Sequence, residues 1–264
     1  MQAFFYLNLE KLNQDDLPQD LRIGRMLNNK TYRENPKSWT GPNASLNSKI
    51  GNLFSLTDVS VEFGDLKALK NIELKIDRGD ILFVTGASGA GKTTLLKVLA
   101  GEVEATKGKL MRPGRDIFLG KVFQELRLVG KLTCEKALWD AYDPNLYHGK
   151  KEFECDLAEL CRIFGITDRL DLKLNCANGG LKQKVAIIRA FLTKPDVFIA
   201  DEPTSSLDLD NARKLYDVLN LYNAKKGLTV IWATHNRDLV NKFSGRIAHL
   251  DNGRLVYSGH ACFI

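Results

Sequence analysis

The apolar positions of this chain change rhythm along its length, and each change predicts a different kind of element. Residues 1–52 have weak apolar periodicity; they are polar and rich in Asn, with NPKSWTGPNASLNSKIGN reading as a linker. That composition predicts a flexible N-terminal extension, followed by one folded unit over residues 53–264. From Phe54, FSLTDVSVEF and LKNIELKI alternate apolar and polar residues like half-buried strands, joined by a loop containing Gly64. DILFVTG differs: it is a short continuous apolar run, as expected of a buried strand. LLKVLAG then reads as a helix stopped by Gly101, and IFLGKVF as a further strand.

From about residue 125 to 175 the pattern turns helical. KKEFECDLAELCRIFG places Phe153, Leu157, Leu160 and Phe164 on one face, ended by Gly165. KPDVFIAD and LTVIWATH are two more buried strands, separated by a helix around NARKLYDVLNLYN. Strands alternating with helices predict an α/β fold with a mainly parallel sheet, and the helical block, residues 125–183, predicts a subdomain set between the early and late strands.

Composition narrows the function classes only a little. A chain of 264 residues with 44% apolar content can bury a sizeable core. The formal net charge of +6 suits an anionic partner (nucleotide, nucleic acid or an acidic membrane surface), but no basic run is concentrated enough to choose among them. Cys134, Cys155, Cys161, Cys176 and Cys262 are odd in number and lack CxxC spacing. They read as reduced core cysteines of a cytosolic protein and not as metal ligands or a disulfide framework. No apolar stretch approaches the ~18 residues of a membrane-spanning helix. The opening MQAFFYLNLEKLNQDD turns acidic too early for a secretory signal, so a membrane role is expected to come through a partner.

The chemistry begins at Gly86-Ala87-Ser88-Gly89-Ala90-Gly91-Lys92-Thr93-Thr94, which fits G-x-x-x-x-G-K-[ST] between a predicted strand and a predicted helix. Its glycines let backbone N–H groups curl around a phosphate chain, and the helix N-terminus adds partial positive charge. Lys92 is placed to reach the β- and γ-phosphates of a nucleotide, and the Thr93 hydroxyl to meet Mg²⁺. VFIADE ends a buried strand in two carboxylates. Asp201 is expected to hold Mg²⁺, and Glu202 to orient and polarise an attacking water. His235 closes TVIWATH, where its ring reads either as a structural strand-end residue or as part of the same phosphate edge.

Taken in order, GASGAGKTT, Gln124 in VFQ, the glycine pair of ANGGL, VFIADEPT, SSLD and ATH resemble the motif series of ATP-binding cassette (ABC) ATPases over residues 53–264. The resemblance implies a P-loop NTPase fold with a parallel core sheet, an antiparallel β subdomain and a helical subdomain. It also implies that Phe63 stacks on adenine, that Gln124 senses γ-phosphate and Mg²⁺, that Asp208 communicates between two subunits and that His235 clamps the γ-phosphate. The implied assembly is a homodimer closed by ATP beneath an integral membrane partner, peripheral on the inner face of the cell membrane. Within the superfamily, GASGAGKTTLLKVLAG, VFQELRLVGKLT and GLTVIWATHNRDLVNKFSGRIAHLDNGRL are similar to the FtsE family of bacterial cell-division ATPases, whose membrane partner is FtsX. The N-terminal extension and a short MRPGRDIFLG segment depart from that family. Lipoprotein-release and small-solute ATPases share much of the pattern.

CANGGLKQKVAIIRA stands where such ATPases usually read LSGGQ. Gly179, Gly180 and the helix behind them survive, with Leu181, Val185 and Ile188 spaced for one buried face. The helix N-terminus can therefore still meet the γ-phosphate held by another subunit, with the Asn178 amide in place of the usual hydroxyl. These residues predict a slow but competent ATPase. A nucleotide-switched scaffold and a soluble ABC protein of DNA repair or translation are the other classes. The second has no support here: Lys92 and Asp201 are too close in sequence to enclose a long coiled coil, there is no second cassette, and no nucleic-acid partner is expected.

Overall fold

In the computed structural model, residues 52–114, 116–236, 240 and 244–260 are described. The predicted N-terminal extension over 1–51 and Cys262 lie outside them; residue 52 already belongs to a strand. β1 (Asn52–Phe63) and β2 (Leu66–Asp77) form an antiparallel hairpin, and β4 (Lys107–Met111) pairs with the other edge of β1. Their alternation is visible in burial: Leu69, Ile72, Leu74 and Ile76 point inward, and the charged residues between them face solvent.

A second, six-stranded sheet has the order β5-β6-β7-β3-β8-β9. Its strands are β3 (Ile81–Thr85), β5 (Leu119–Val122), β6 (Val197–Asp201), β7 (Thr229–Thr234), β8 (Arg246–Asp251) and β9 (Arg254–His260). All neighbours are parallel except β8 and β9. On one face Phe83, Phe198, Val230 and Trp232 pack against helices; on the other Leu82, Val84, Ile199 and Ile231 pack against the antiparallel sheet and the first helix. Burial on both faces is why these strands read as continuous apolar runs.

The helices are α1 (Lys92–Leu99), α2 (Cys134–Trp139), α3 (Lys150–Ile163), α4 (Gly179–Leu192) and α5 (Leu209–Lys226). The expected helical block needs correction at both ends. Residues 125–131 are irregular, with Arg127 at φ 48°, and between α3 and α4 lie only two 3₁₀ turns. At the other end α4 runs past residue 183 to Leu192, because Leu181, Val185, Ile188 and Phe191 form one continuous buried face. Two cysteines also differ from expectation: Cys134 and Cys161 are buried, but Cys155 and Cys176 are exposed thiols.

Within the helical block, α3 is joined to the end of α4 by a buried polar cluster. The Tyr147 hydroxyl donates to the Leu192 carbonyl at 2.7 Å, and the Lys194 ammonium lies 3.8 Å from the centre of the Tyr147 ring. Lys194 pairs with Glu152 at 2.7 Å and Asp156 at 3.8 Å. Burial pushes the Asp156 carboxyl up to about 6, against the pull of Lys194 and Lys226. A folded pKa above the unfolded value of ~3.9 means that folding favours the protonated form. Its stabilising contribution is full below about pH 4 and lost as pH rises through about 6. Asp156→Asn is expected to abolish this fall, which amounts to roughly 3 kcal/mol between pH 4 and pH 7. Urea unfolding of both proteins across that range checks it.

Candidate active site

The parallel register brings the predicted motifs to one edge. Thr85 lies opposite Thr234, Ala233 opposite Asp201, and Ala200 opposite Val122. The chain leaves these strand ends into Gly86, His235, Glu202 and Gln124, at the carboxyl edge where open α/β sheets bind ligands. Gln124 is exposed.

The loop from Gly86 to Thr94 leads directly into α1, whose N-cap is Gly91 with no side-chain cap and no acidic residue in the first turn. Its first N–H groups are thus left to an anion. Glycine is required at two points by close approach as well as backbone conformation. At Gly91, φ is 103° and a Cβ would meet the Ala68 carbonyl at 2.7 Å; at Gly86, φ is 149° and it would collide with the Leu250 carbonyl. Lys92 is buried and donates to the carbonyls of Gly86 at 2.8 Å and Ala87 at 3.0 Å. The loop is braced from outside: the Gly253 N–H donates to the Ala90 carbonyl at 3.1 Å, and the Lys70 N–H to the Gly253 carbonyl at 2.7 Å. This brace fixes β2 against the loop, and with it the hairpin tip. There Phe63, paired with Leu66, has half its surface open to solvent as a free aromatic face.

Asp201 is 1% exposed. Its Oδ2 accepts the Thr93 hydroxyl at 2.6 Å, but its buried Oδ1 has no partner among the described residues. Burial, followed by the adjacent Glu202, pushes its carboxyl up, while Thr93 and Lys92 pull the other way. An anionic oxygen held out of water without a donor is a place for a cation. No cluster of three or more His, Cys, Asp or Glu suited to a metal exists among the described residues. That donor set fits Mg²⁺, which takes one or two protein oxygens and completes its shell with phosphates and water.

Glu202 is also buried, in a left-handed conformation at φ 49° that costs an L-residue roughly 1–2 kcal/mol. Surrounding bonds hold it there. Its N–H donates to the Ala233 carbonyl at 2.9 Å, Oε1 accepts the His235 N–H at 2.8 Å, and the His235 Nδ1 lies 2.7 Å from the same oxygen. The Thr234 hydroxyl donates to Oε2 at 3.2 Å and accepts the Asn236 N–H at 3.1 Å. Thr234 was not singled out by the sequence reading; its only signal is a hydroxyl-bearing residue at the strand end beside His235. The His235 side chain is 67% exposed, so with Nδ1 turned to Glu202 the ring's other nitrogen is left for a ligand.

At the start of α4, Asn178 is the N-cap: its Oδ1 accepts the Leu181 N–H at 2.9 Å, which leaves the exposed residue's amide nitrogen as the outward donor. Leu181 is buried and belongs to the core, so its apolar character follows from packing. A Cβ on Gly180 would lie 2.9 Å from the Ser206 carbonyl, so this glycine is required by the neighbouring loop of its own chain. Asp208, in that loop, caps α5 by accepting the Asn211 N–H at 2.8 Å, and this bond holds its carboxyl below the usual range. Lys184 of α4 acts on it from the signature side.

Comparison with known proteins places this geometry. The ABC transporter family profile matches residues 69–205. The methionine import ATP-binding protein MetN of Rhizobium johnstonii is 35% identical over 219 residues, 77% of this chain, and the chain spans 60% of that relative's length. The lipoprotein-releasing system ATP-binding protein LolD of Porphyromonas gingivalis is 34% identical over 214 residues, 75% of this chain and 96% of LolD. A dimeric ATP-binding cassette solved in a post-hydrolysis state with ADP and phosphate superposes with a TM-score of 0.68 at 25% identity. That match covers 80% of this chain and 100% of the other. Neither curated relative carries a cell-division name.

The unpartnered Asp201 oxygen gives a test that separates stability from ligand binding. Asp201→Asn is expected to raise the stability of the nucleotide-free chain by about 1–3 kcal/mol while abolishing the Mg²⁺-dependent part of ATP affinity. Thermal unfolding and calorimetric titration with and without Mg²⁺ measure the two effects.

Proposed function

We propose that this chain, which belongs to the ABC transporter family, is the ATP-hydrolysing subunit of a membrane-coupled complex. The observation that carries the reading is the buried Glu202, fixed by His235 and Thr234 beside the Thr93–Asp201 pair. A scaffold that used nucleotide only as a switch would have no use for a strained, fully held carboxylate at the phosphate edge.

In this mechanism Phe63 stacks on adenine, the N–H groups of Gly86–Thr94 cradle the phosphates, and Lys92 exchanges its loop carbonyls for phosphate oxygens. Thr93, Asp201 and Gln124 would hold Mg²⁺, which would supply neutralisation of phosphate charge when bound. Glu202 orients and polarises the attacking water, and the free ring nitrogen of His235 contacts the γ-phosphate. A second copy completes the site with its Asn178 amide and the N–H groups at Gly179 and Gly180, and Asp208 lies at the same junction. ATP thus closes two copies head to tail and hydrolysis reopens them. The dimeric relative with ADP and phosphate supports this reading.

No helix among the described residues is long and apolar enough to cross a membrane. In this reading, coupling runs through an integral membrane partner, with the chain peripheral on the cytoplasmic face. The FtsE-like phrases at the P-loop, Gln124 and His235 favour an FtsX-like partner in cell division. The match across 96% of a lipoprotein-releasing ATPase favours a second reading, a transport or release complex. Co-purification distinguishes them by whether the partner's external domain engages wall hydrolases or a lipoprotein.

Glu202→Gln is expected to lower phosphate release by about 10²-fold or more and to trap a dimer at saturating Mg-ATP, read by light scattering; a variant that stays monomeric overturns the reading. Asn178 gives a sharper test. Asn178→Asp keeps the helix cap but replaces the outward donor with an anion. It should fold normally and fail to dimerise on ATP, whereas Asn178→Ser should turn over at least as fast as the native chain.

A further inference from the structure

Residues 123–130 form neither helix nor strand, yet the backbone that follows Gln124 is held from two sides. From the signature side, Arg189 on α4 donates Nη2 to the Leu126 carbonyl at 3.1 Å and Nη1 to the Arg127 carbonyl at 3.4 Å. The chain just beyond is fastened to the approach to Asn178. The Asn175 N–H donates to the Gly130 carbonyl, the Leu174 N–H to the Leu132 carbonyl and the Cys134 N–H to the Leu172 carbonyl, each at 2.9 Å.

From the other side, Arg127 turns back on itself at φ 48° and sends Nη2 to Glu102 Oε2 at 3.0 Å. Glu102 follows α1, with its N–H donating to the Lys97 carbonyl at 2.8 Å. Its second oxygen accepts Lys121 of β5 at 2.9 Å. Burial works against the Glu102 charge, but Lys121 and Arg127 hold its carboxyl below the ordinary range. An exposed Arg–Glu pair alone contributes little. Here the carboxylate is largely covered and shared by two cations. The planar guanidinium of Arg189 meets two successive carbonyls from two nitrogens held in a rigid fork.

We propose that Arg127 and Arg189 are positioning residues that clamp the Gln124 loop between the P-loop helix α1 and the signature helix α4. Arg189 makes the loop follow α4, and Arg127 ties it to α1 through Glu102. Gln124 therefore sits at the phosphate edge only when the two helices keep their present spacing. A shift of the helical block, imposed by a second copy or by a membrane partner, would pull the loop away from one anchor. The catalytic consequence rests on the ATPase reading of Gln124; the clamp itself does not.

The test uses the full chain with Arg127→Gly and Arg189→Lys, alone and combined with Gln124→Ala. Glycine keeps the left-handed backbone while removing the ion pair, and lysine keeps the charge while losing the rigid two-nitrogen fork that spans the Leu126 and Arg127 carbonyls. Without nucleotide, glutamyl endopeptidase cleavage after Glu125 should accelerate about tenfold or more in both variants, with the urea midpoint nearly unchanged. In steady state, kcat should fall about tenfold with KM for ATP within about twofold, and neither change should add to the loss caused by Gln124→Ala. Native cleavage rates, a native-like Arg127→Gly, or losses that multiply with Gln124→Ala would overturn the proposal. If the native chain releases no phosphate, the hydrolysis reading fails and the cleavage rates still decide the clamp.

Discussion

A carboxylate taken out of water with one oxygen unmatched is the constraint around which this fold is organised. Asp201 ends the interior strand β6, and the Thr93 hydroxyl satisfies one of its oxygens while the other is buried without a donor among the described residues. Such an arrangement costs folding free energy, and a core built for stability alone would have closed it with an amide or an apolar side chain. It is sustained by the double burial of β3, β6 and β7, which leaves little freedom at the strand ends. The same rigidity places the glycine loop, Glu202 and His235 next to the unmatched charge.

Two adjacent carboxylates acquire different chemistry from their surroundings. Asp201 is deep and short of donors, which suits a cation. Glu202 turns the chain through a left-handed residue and accepts bonds from a backbone N–H, an imidazole and a hydroxyl, which fixes its direction. Asn178 divides its amide in the same manner: the oxygen caps α4, and the nitrogen is left to donate outward, to a second copy in the proposed pairing. Asn178 thus serves as the helix cap with one end of its amide, and the proposed contact with nucleotide would fall to the other.

Much of this was legible in the sequence, for physical reasons that also explain the gaps. Strands buried on both faces, such as DILFVTG and VFIAD, announce themselves by composition, and glycines at 86 and 91 are forced by close backbone approach. The β8–β9 hairpin was not singled out, although Asn252 and Gly253 at φ 47° and 77° form the turn its Asn-Gly pair favours. β4 is short and mostly exposed, and its pattern is too weak to read. Residues 125–131 fall inside the expected helical block but form an irregular loop, from which Leu126 and Leu128 pack against the core while Val129 stays exposed. Arg127, Arg189 and Thr234 could not be found from spacing, since they act on partners distant in the chain, two of them backbone carbonyls. Family resemblance suggests the chemistry of the site; it does not supply the bonds that hold it.

The central claim is that each chain carries two halves of different sites, with hydrolysis arising only where Glu202 of one copy meets Asn178 and its glycines from another. Phosphate release per chain, measured at saturating Mg-ATP over a wide range of protein concentration, addresses it most directly. The account predicts a specific activity that climbs with concentration and then levels off as pairing saturates. A specific activity independent of concentration down to the lowest measurable level, or none at any concentration, would contradict it.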